Sequence, residues 1–211
     1  MICGLISEFR SHFQLTDDKT IENILYFHLE NCENTILLKK EFEKKENKHV
    51  SLKFSKRINP DLADTVEPNT IMIFDDLENR FLNDAKLIEM LHKFASVLCH
   101  HKSVFLIFVA QSVSILKKSS KLAPIISNAT HFIIMRNIME SKSLSRFLSN
   151  LNIKMKLGLS ISEIYEKYIL PKQFQYILLC VSSRAPKATA YSNILLKSPG
   201  NMISYHESDE D

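Results

Sequence analysis

Three continuous apolar runs constrain the fold more strongly than any other feature of this 211-residue sequence. They occupy residues 70–75 (TIMIFD), 103–110 (SVFLIFVA) and 130–136 (THFIIMR). Runs that are apolar at successive positions, and not only at alternate ones, are typical of strands buried on both faces of a parallel sheet. Residues 83–101 lie between the first two runs, and their apolar residues recur at helical spacing. The pattern predicts a three-layer α/β fold with a largely parallel sheet.

The other segments extend this alternation of helices and strands. The predicted helices are 2–13, 34–46, 140–152 and 160–168, together with two short helices in 112–128 that are interrupted near Pro124. The predicted strands are 23–29, 50–54, 174–181 and 193–197. Because no repeat or low-complexity linker divides the chain, we predict a single domain over residues 1–200 and a disordered acidic tail over residues 201–211.

Glycine is scarce, and this excludes one large class of nucleotide site. The sequence holds only Gly4, Gly158 and Gly200, whereas an average usage of about 7% predicts roughly fifteen. A glycine-rich phosphate-binding loop of either common type cannot be built from them. The chain is therefore not a self-contained P-loop enzyme.

The charge and the cysteine positions limit the compartments and the partners with which this sequence is compatible. The net charge is +3, and the last five residues hold four acids. A basic body with an acidic tail is compatible with nucleic-acid contact, and equally with a solvated surface. Four cysteines far apart in the sequence favour a reducing compartment. The longest apolar run, Val104 to Ala110, is too short to span a bilayer, and no signal-peptide pattern is present, so we expect an intracellular protein without a membrane segment.

Two acids, Asp75 and Asp76, end the first apolar run. Ligands of parallel α/β folds bind at the carboxyl ends of strands. There Asp75 can hold Mg²⁺, directly or through water, and Asp76 can orient or deprotonate an attacking water. The alternative is that both acids cap the helix that follows.

Further candidate residues follow the other two runs. Gln111 can hydrogen-bond a phosphate or the water attacking it, or face solvent as a loop residue. Arg136 can stabilise charge in phosphoryl transfer, including from a neighbouring subunit, or form a surface ion pair; Arg146 is a second candidate for that role. Cys99, His100 and His101 are adjacent on a predicted helix and point in different directions, so we do not expect a zinc site there.

The order of these features resembles the DNA-packaging ATPases of Maverick/Polinton elements and related large DNA viruses, in the FtsK–HerA branch of P-loop ATPases. The resemblance runs over residues 2–180 through ILYFH, TIMIFDDL, CHHKSVFLIFVAQS and HFIIMRN. It implies that Asp75 and Asp76 form the Walker B acids, that His100 and His101 match a histidine pair, and that Gln111 is the sensor. Ser112 stands where the family frequently has Asn, and the basic segment at Arg136 is thin.

The resemblance also implies ligands and partners. It implies ATP and Mg²⁺ as cofactors, with double-stranded DNA and capsid proteins as partners. It further implies a homo-oligomeric ring and a location in the nucleus or cytoplasm of a host cell.

One departure from the family is large. The family's Walker A strand and loop precede the helix that corresponds to residues 2–13, and this chain begins at that helix. The resemblance thus implies an α/β fold of the P-loop ATPase type whose first strand, placed between 103–110 and 130–136, is missing. Those two strands must then pair directly or leave open backbone edges, which are costly and invite aggregation. Either the chain is truncated, or its centre is rebuilt, or another chain supplies the strand.

Three functional hypotheses follow. The first is a truncated packaging ATPase that does not bind ATP alone. The second is a non-catalytic relative that acts as a scaffold or ring partner. The third is a metal-dependent nuclease or other phosphoryl-transfer enzyme that uses Asp75, Asp76 and Glu78.

Overall fold

The structure is a computed structural model that divides the chain into two compact units, 1–128 and 129–211. It describes residues 21–29, 36, 39–40, 51–110, 120–129, 131–135, 142–155, 161–171, 176–180, 189–192 and 201–203. The single domain over residues 1–200 stays a prediction.

The first unit alternates strands and helices as the sequence predicts. Its strands are β1 (Asn23–His28), β2 (Ser51–Ser55), β3 (Thr70–Asp75) and β4 (Phe105–Val109). Its helices are α1 (Leu62–Thr65), α2 (Glu78–Asn83), α3 (Ala85–Lys93), α4 (Cys99–His101) and α5 (Ala123–Asn128), with a π-helical segment, Phe94–Leu98, between α3 and α4. The predicted helix 2–13 lies outside the described residues. Of 34–46 only residues 36, 39 and 40 are described, and they are helical.

The four strands form one sheet in the order β2-β1-β3-β4, and every pairing is parallel. This confirms an α/β fold and the strands predicted at 23–29, 50–54, 70–75 and 103–110. Ile71, Met72, Ile73 and Phe74 of β3 are each 0% exposed. A strand buried on both faces has no solvent-facing position for a polar side chain, which explains the continuous apolar run.

Phe74 is the centre of the core on one face of this sheet. Its ring stacks on Phe27 at 5.2 Å between centroids and meets Phe81 edge-on at 5.1 Å. Phe94, in the π-helical segment, lies 6.4 Å from it. These ring contacts join β1 and β3 to the helices that follow β3. Aromatic pairs at such separations stabilise the fold beyond the burial of their apolar area.

The helix predicted over 83–101 is present but is not a single regular helix. It begins at α3, widens into a π-helical turn over Phe94–Leu98 and ends in the short α4. Phe94 and Leu98 stay buried while Val97 is exposed. A π turn inserts an extra residue into the helical repeat, and apolar spacing alone does not reveal it.

Pro124 does not interrupt a helix in the way the sequence predicts. It is the second residue of α5, which runs unbroken to Asn128. Proline is tolerated in the first turn because its missing N–H would have no intrahelical partner there. Residues 112–119 lie outside the described residues.

The second unit corrects the prediction for the later strands. Its elements are β5 (His131–Met135), α6 (Lys142–Met155), α7 (Ile161–Ile164), a π-helical segment (Tyr165–Ile169), β6 (Tyr176–Cys180), β7 (Thr189–Ser192) and β8 (Asn201–Ile203). The strands form a second sheet in the order β5-β6-β7-β8, with every pairing antiparallel. The strands predicted at 130–136 and 174–181 therefore exist, but their placement in a largely parallel sheet is wrong. An apolar run reports burial and carries no information on strand direction.

β7 and β8 are the last two strands in the described part of the chain. The structure has a strand at Thr189–Ser192, and the strand predicted at 193–197 lies outside the described residues. β8 lies within 201–211, the segment predicted as a tail.

β4 ends the parallel sheet, and among the described strands it pairs only with β3. β5, which lies within the segment predicted as the strand 130–136, pairs with β6 in the second sheet. All five residues of β4 are partly exposed, in contrast to the buried β3. Within the described ranges, no helix is long and apolar enough to cross a membrane.

The start of α3 gives a test of this fold. Asp84 is its N-cap, and the side chain accepts hydrogen bonds from the amides of Lys86 (3.0 Å) and Leu87 (3.2 Å). We expect Asp84→Ala to lower the free energy of unfolding by about 1 kcal/mol, measured by urea denaturation, because two helix-end amides lose their acceptor. Asp61, the N-cap of α1, makes no such side-chain bond, so Asp61→Ala is the matched control with an expected loss under about 0.5 kcal/mol. Equal losses in both variants would contradict the assignment.

Candidate functional site

The carboxyl ends of three parallel strands meet at one edge of the first sheet, here called the acid edge (His28, Asp75, Asp76 and Val109). The register places His28 opposite Asp75, and Asp75 opposite Val109. The amide of Asp76 donates to the carbonyl oxygen of Val109 across 3.3 Å. This bond continues the pairing of β3 with β4 one residue past the strand. Backbone hydrogen bonds therefore fix where the first acid stands.

Asp75 is held by a tyrosine on the neighbouring strand. The hydroxyl of Tyr26 donates a hydrogen bond to Oδ2 of Asp75. Tyr26 pairs with Ile73, two residues before Asp75, so both side chains lie on the same face of the sheet. Tyr26 is 2% exposed and Asp75 is partly exposed. A buried phenol thus orients a carboxylate that reaches the surface.

Two aromatic rings pack against the ring of Tyr26. The ring of Tyr26 lies 5.4 Å from that of Phe54 on β2 and 5.7 Å from that of His28. The rings of His28 and Phe54 are 6.0 Å apart, and His28 is 6% exposed. These contacts limit the rotation of Tyr26, because a ring packed on two sides has few rotamers open to it. The donor to Asp75 is therefore preorganised.

Asp76 differs from Asp75 in both backbone and exposure. Its φ is 57°, in the left-handed region that Asp enters at lower cost than most residues. The chain turns there, so that Asp76 is exposed while Leu77 and Glu78 are buried. The N-cap of α2 is Leu77. Neither acid occupies the N-cap position of that helix.

The structure describes the position of only some of the predicted site residues. It brings Asp75 and Asp76 to the carboxyl end of an inner parallel strand, as predicted. Gln111 and Arg136 lie outside the described residues, and their roles stay predictions. Arg146 is exposed on α6, in the second unit.

The segment Cys99–His101 forms α4, the short last turn before β4. His101 is exposed and Cys99 is partly buried with a free thiol. Burial raises the pKa of the Cys99 thiol, and a backbone hydrogen bond with Leu106 lowers it by less. Within the described ranges, no three His, Cys, Asp or Glu side chains group as a metal-binding set.

The residues present fit Mg²⁺ but not ATP. Mg²⁺ keeps several waters and is commonly held by one or two carboxylates, which the partly exposed Asp75 and the exposed Asp76 can provide. ATP requires backbone amides and a lysine around its phosphates. None of the three glycines of this chain is followed by lysine, so no loop of that type is available from these 211 residues.

Sequence reasoning missed Tyr26 and His28. Both stand in an otherwise apolar strand, NILYFH, at positions two apart and therefore on one face. A polar pair on one face near the carboxyl end of a buried strand is a usable signal for a site. Which residue of an adjacent strand this pair contacts depends on the strand order, and the sequence alone does not give that order.

The thiol of Cys99 provides a test of the environment beside β4. We expect alkylation of Cys99 by iodoacetamide to be slow at neutral pH, because only the thiolate reacts and burial disfavours it. The half-maximal rate should lie above pH 9.0, the ordinary value from which the pKa is raised. Peptide mapping by mass spectrometry, with unfolded chain in urea as the control, measures this rate. Equal pH profiles in the folded and unfolded chain would contradict the burial of this thiol.

Comparisons of the chain with family models, with curated proteins and with solved structures return no match. A functional assignment must therefore come from the chemistry of the acid edge and from the order of the sequence features.

Proposed function

We propose that this chain is an ATPase-like module of a DNA-packaging system, of the Maverick/Polinton and large-DNA-virus type. The observation that carries the proposal is the position of Asp75 and Asp76 at the carboxyl end of an inner strand of an all-parallel sheet. This is where Walker B acids act in a P-loop ATPase, the fold type that the proposal includes.

The strand order supports the same proposal. β3 lies between β1 and β4, and each crossover from one strand to the next leaves the carboxyl ends together. β4 is the last strand of the described sheet, on the side where the resemblance places the missing P-loop strand. An apolar edge of this kind is a natural position for one further strand.

The acids would have separate roles in such a module. Asp75 would hold Mg²⁺ through water, and Asp76 would orient or deprotonate a water. The bound Mg²⁺ would neutralise phosphate charge. Gln111 as sensor and Arg136 as a charge-stabilising residue complete the assignment. Because the phosphate-binding loop is absent from these 211 residues, the nucleotide site is complete only if such a loop comes from outside them.

A packaging role sets the partners and the location. The module would act in a homo-oligomeric ring on double-stranded DNA and capsid proteins, in the nucleus or cytoplasm of a host cell. A non-catalytic scaffold or ring partner is the second candidate, and the absence of a phosphate-binding loop from these 211 residues is compatible with it.

The nuclease hypothesis has less support. It needs Glu78 to join Asp75 and Asp76 around shared metal ions. Glu78 is only 2% exposed, whereas Asp76 is on the surface. The three carboxylates are therefore not all exposed to solvent.

Nucleotide turnover and DNA binding test the proposal on the same protein sample. With Mg-ATP, with and without double-stranded DNA, we expect no hydrolysis by the 211-residue chain, because it lacks the amide and lysine groups that hold the phosphates. Binding to double-stranded DNA, measured by fluorescence anisotropy, should weaken as salt rises, because phosphate contacts release counterions.

Two outcomes would contradict the proposal. Robust turnover that Asp76→Asn abolishes would mean that the chain holds a complete nucleotide site and is not an incomplete module. Absence of DNA binding at low salt would remove the packaging role. Lys142→Ala, a change of an exposed residue outside the acid edge, is the control for nonspecific effects on turnover.

A further inference from the structure

We propose that Tyr26 is a positioning residue that makes the acid edge selective for Mg²⁺ over Ca²⁺. The inference rests on the proposed function, because it assumes that Asp75 meets a divalent cation. It adds a residue from β1 and a cation preference, neither of which the order of sequence features assigns.

The hydrogen bond from Tyr26 acts on one oxygen of the carboxylate. Oδ2 of Asp75 accepts the phenolic proton, which draws negative charge from that oxygen and fixes the plane of the group. A cation that used both oxygens at once would compete with this bond. Asp75 is therefore set to bind through Oδ1, directly or by way of a bound water.

The donor resists displacement. Tyr26 is 2% exposed, and its ring packs against those of Phe54 and His28. If a cation displaced the bond, the buried hydroxyl would lose Asp75 as its acceptor, and loss of a hydrogen bond by a buried group is unfavourable. Register and packing together keep Oδ2 occupied.

The two cations differ in what this arrangement offers them. Ca²⁺ takes six to eight oxygen ligands and frequently binds carboxylates through both oxygens, whereas Mg²⁺ keeps several waters and accepts one or two carboxylates. A carboxylate restricted to one oxygen removes a ligand that Ca²⁺ would use and costs Mg²⁺ little. The preference for Mg²⁺ over Ca²⁺ thus follows from the hydrogen bond that Tyr26 donates to Oδ2, the carboxylate oxygen that the cation does not use.

Competition against Mn²⁺ measures the preference on the full chain without nucleotide. Bound Mn²⁺ is followed by electron paramagnetic resonance while Mg²⁺ or Ca²⁺ is added. In the unchanged protein we expect Mg²⁺ to displace Mn²⁺ at lower concentration than Ca²⁺. In Tyr26→Phe the ratio of the Ca²⁺ to the Mg²⁺ dissociation constant should fall about fivefold, an effect the size of one ordinary hydrogen bond.

Three further variants make the result decisive. Tyr165→Phe removes a hydroxyl from an equally buried tyrosine in the second unit and should leave the ratio unchanged. Asp75→Asn should abolish the binding. Asp75→Glu moves the carboxylate by one methylene away from Tyr26 and should also raise the relative affinity for Ca²⁺, which tests the inference even if Tyr26→Phe fails to fold.

The outcomes separate the two proposals. Binding that depends on Asp75 but keeps its cation ratio in both Tyr26→Phe and Asp75→Glu overturns the role of Tyr26 and leaves the proposed function standing. Mn²⁺ binding that Asp75→Asn does not reduce overturns both, because Asp75 then meets no cation.

Discussion

The burial of β3 on both faces is the constraint on which the rest of this structure depends. Four consecutive side chains of that strand are fully buried, and strands on either side satisfy its backbone. Such a strand can place polar groups only where it ends, because a polar side chain within it would lose its water without gaining a partner. Asp75 and Asp76 stand at that end, so the core and the candidate site have the same cause.

The neighbouring strands convert this position into a site with defined chemistry. β4 fixes the turn after the strand through the bond between Asp76 and Val109, and β1 supplies the phenol that holds Asp75. One acid is therefore rigid and partly buried, and the other is exposed. That division suits a carboxylate that holds a cation beside one that handles water. A glycine-rich phosphate-binding loop is not encoded within these 211 residues.

The sequence predicts the strands of the first sheet well, because each is short and all but β2 are largely apolar. It also predicts Asp75 and Asp76, since they directly follow the most buried run. It does not predict that β5 and β6 pair antiparallel, because His131–Met135 is as apolar as β3 and apolarity has no direction. It does not reveal the contact of Tyr26 with Asp75 either, because 49 positions separate them and only strand order brings them together. The π turn at Phe94–Leu98 is hidden for a related reason: its buried residues still fall close to helical spacing.

A double-mutant cycle between Tyr26 and Asp75 tests the central claim most directly, namely that β1 holds the first acid of the edge. Tyr26→Phe, Asp75→Asn and the double variant are unfolded in urea, and the coupling energy is the departure of the double variant from additivity. The structure predicts a coupling of about 1–2 kcal/mol, as for a hydrogen bond to a partly solvated carboxylate. Additive losses, with a coupling near zero, would mean that the two side chains do not interact, and the account of the acid edge would be wrong.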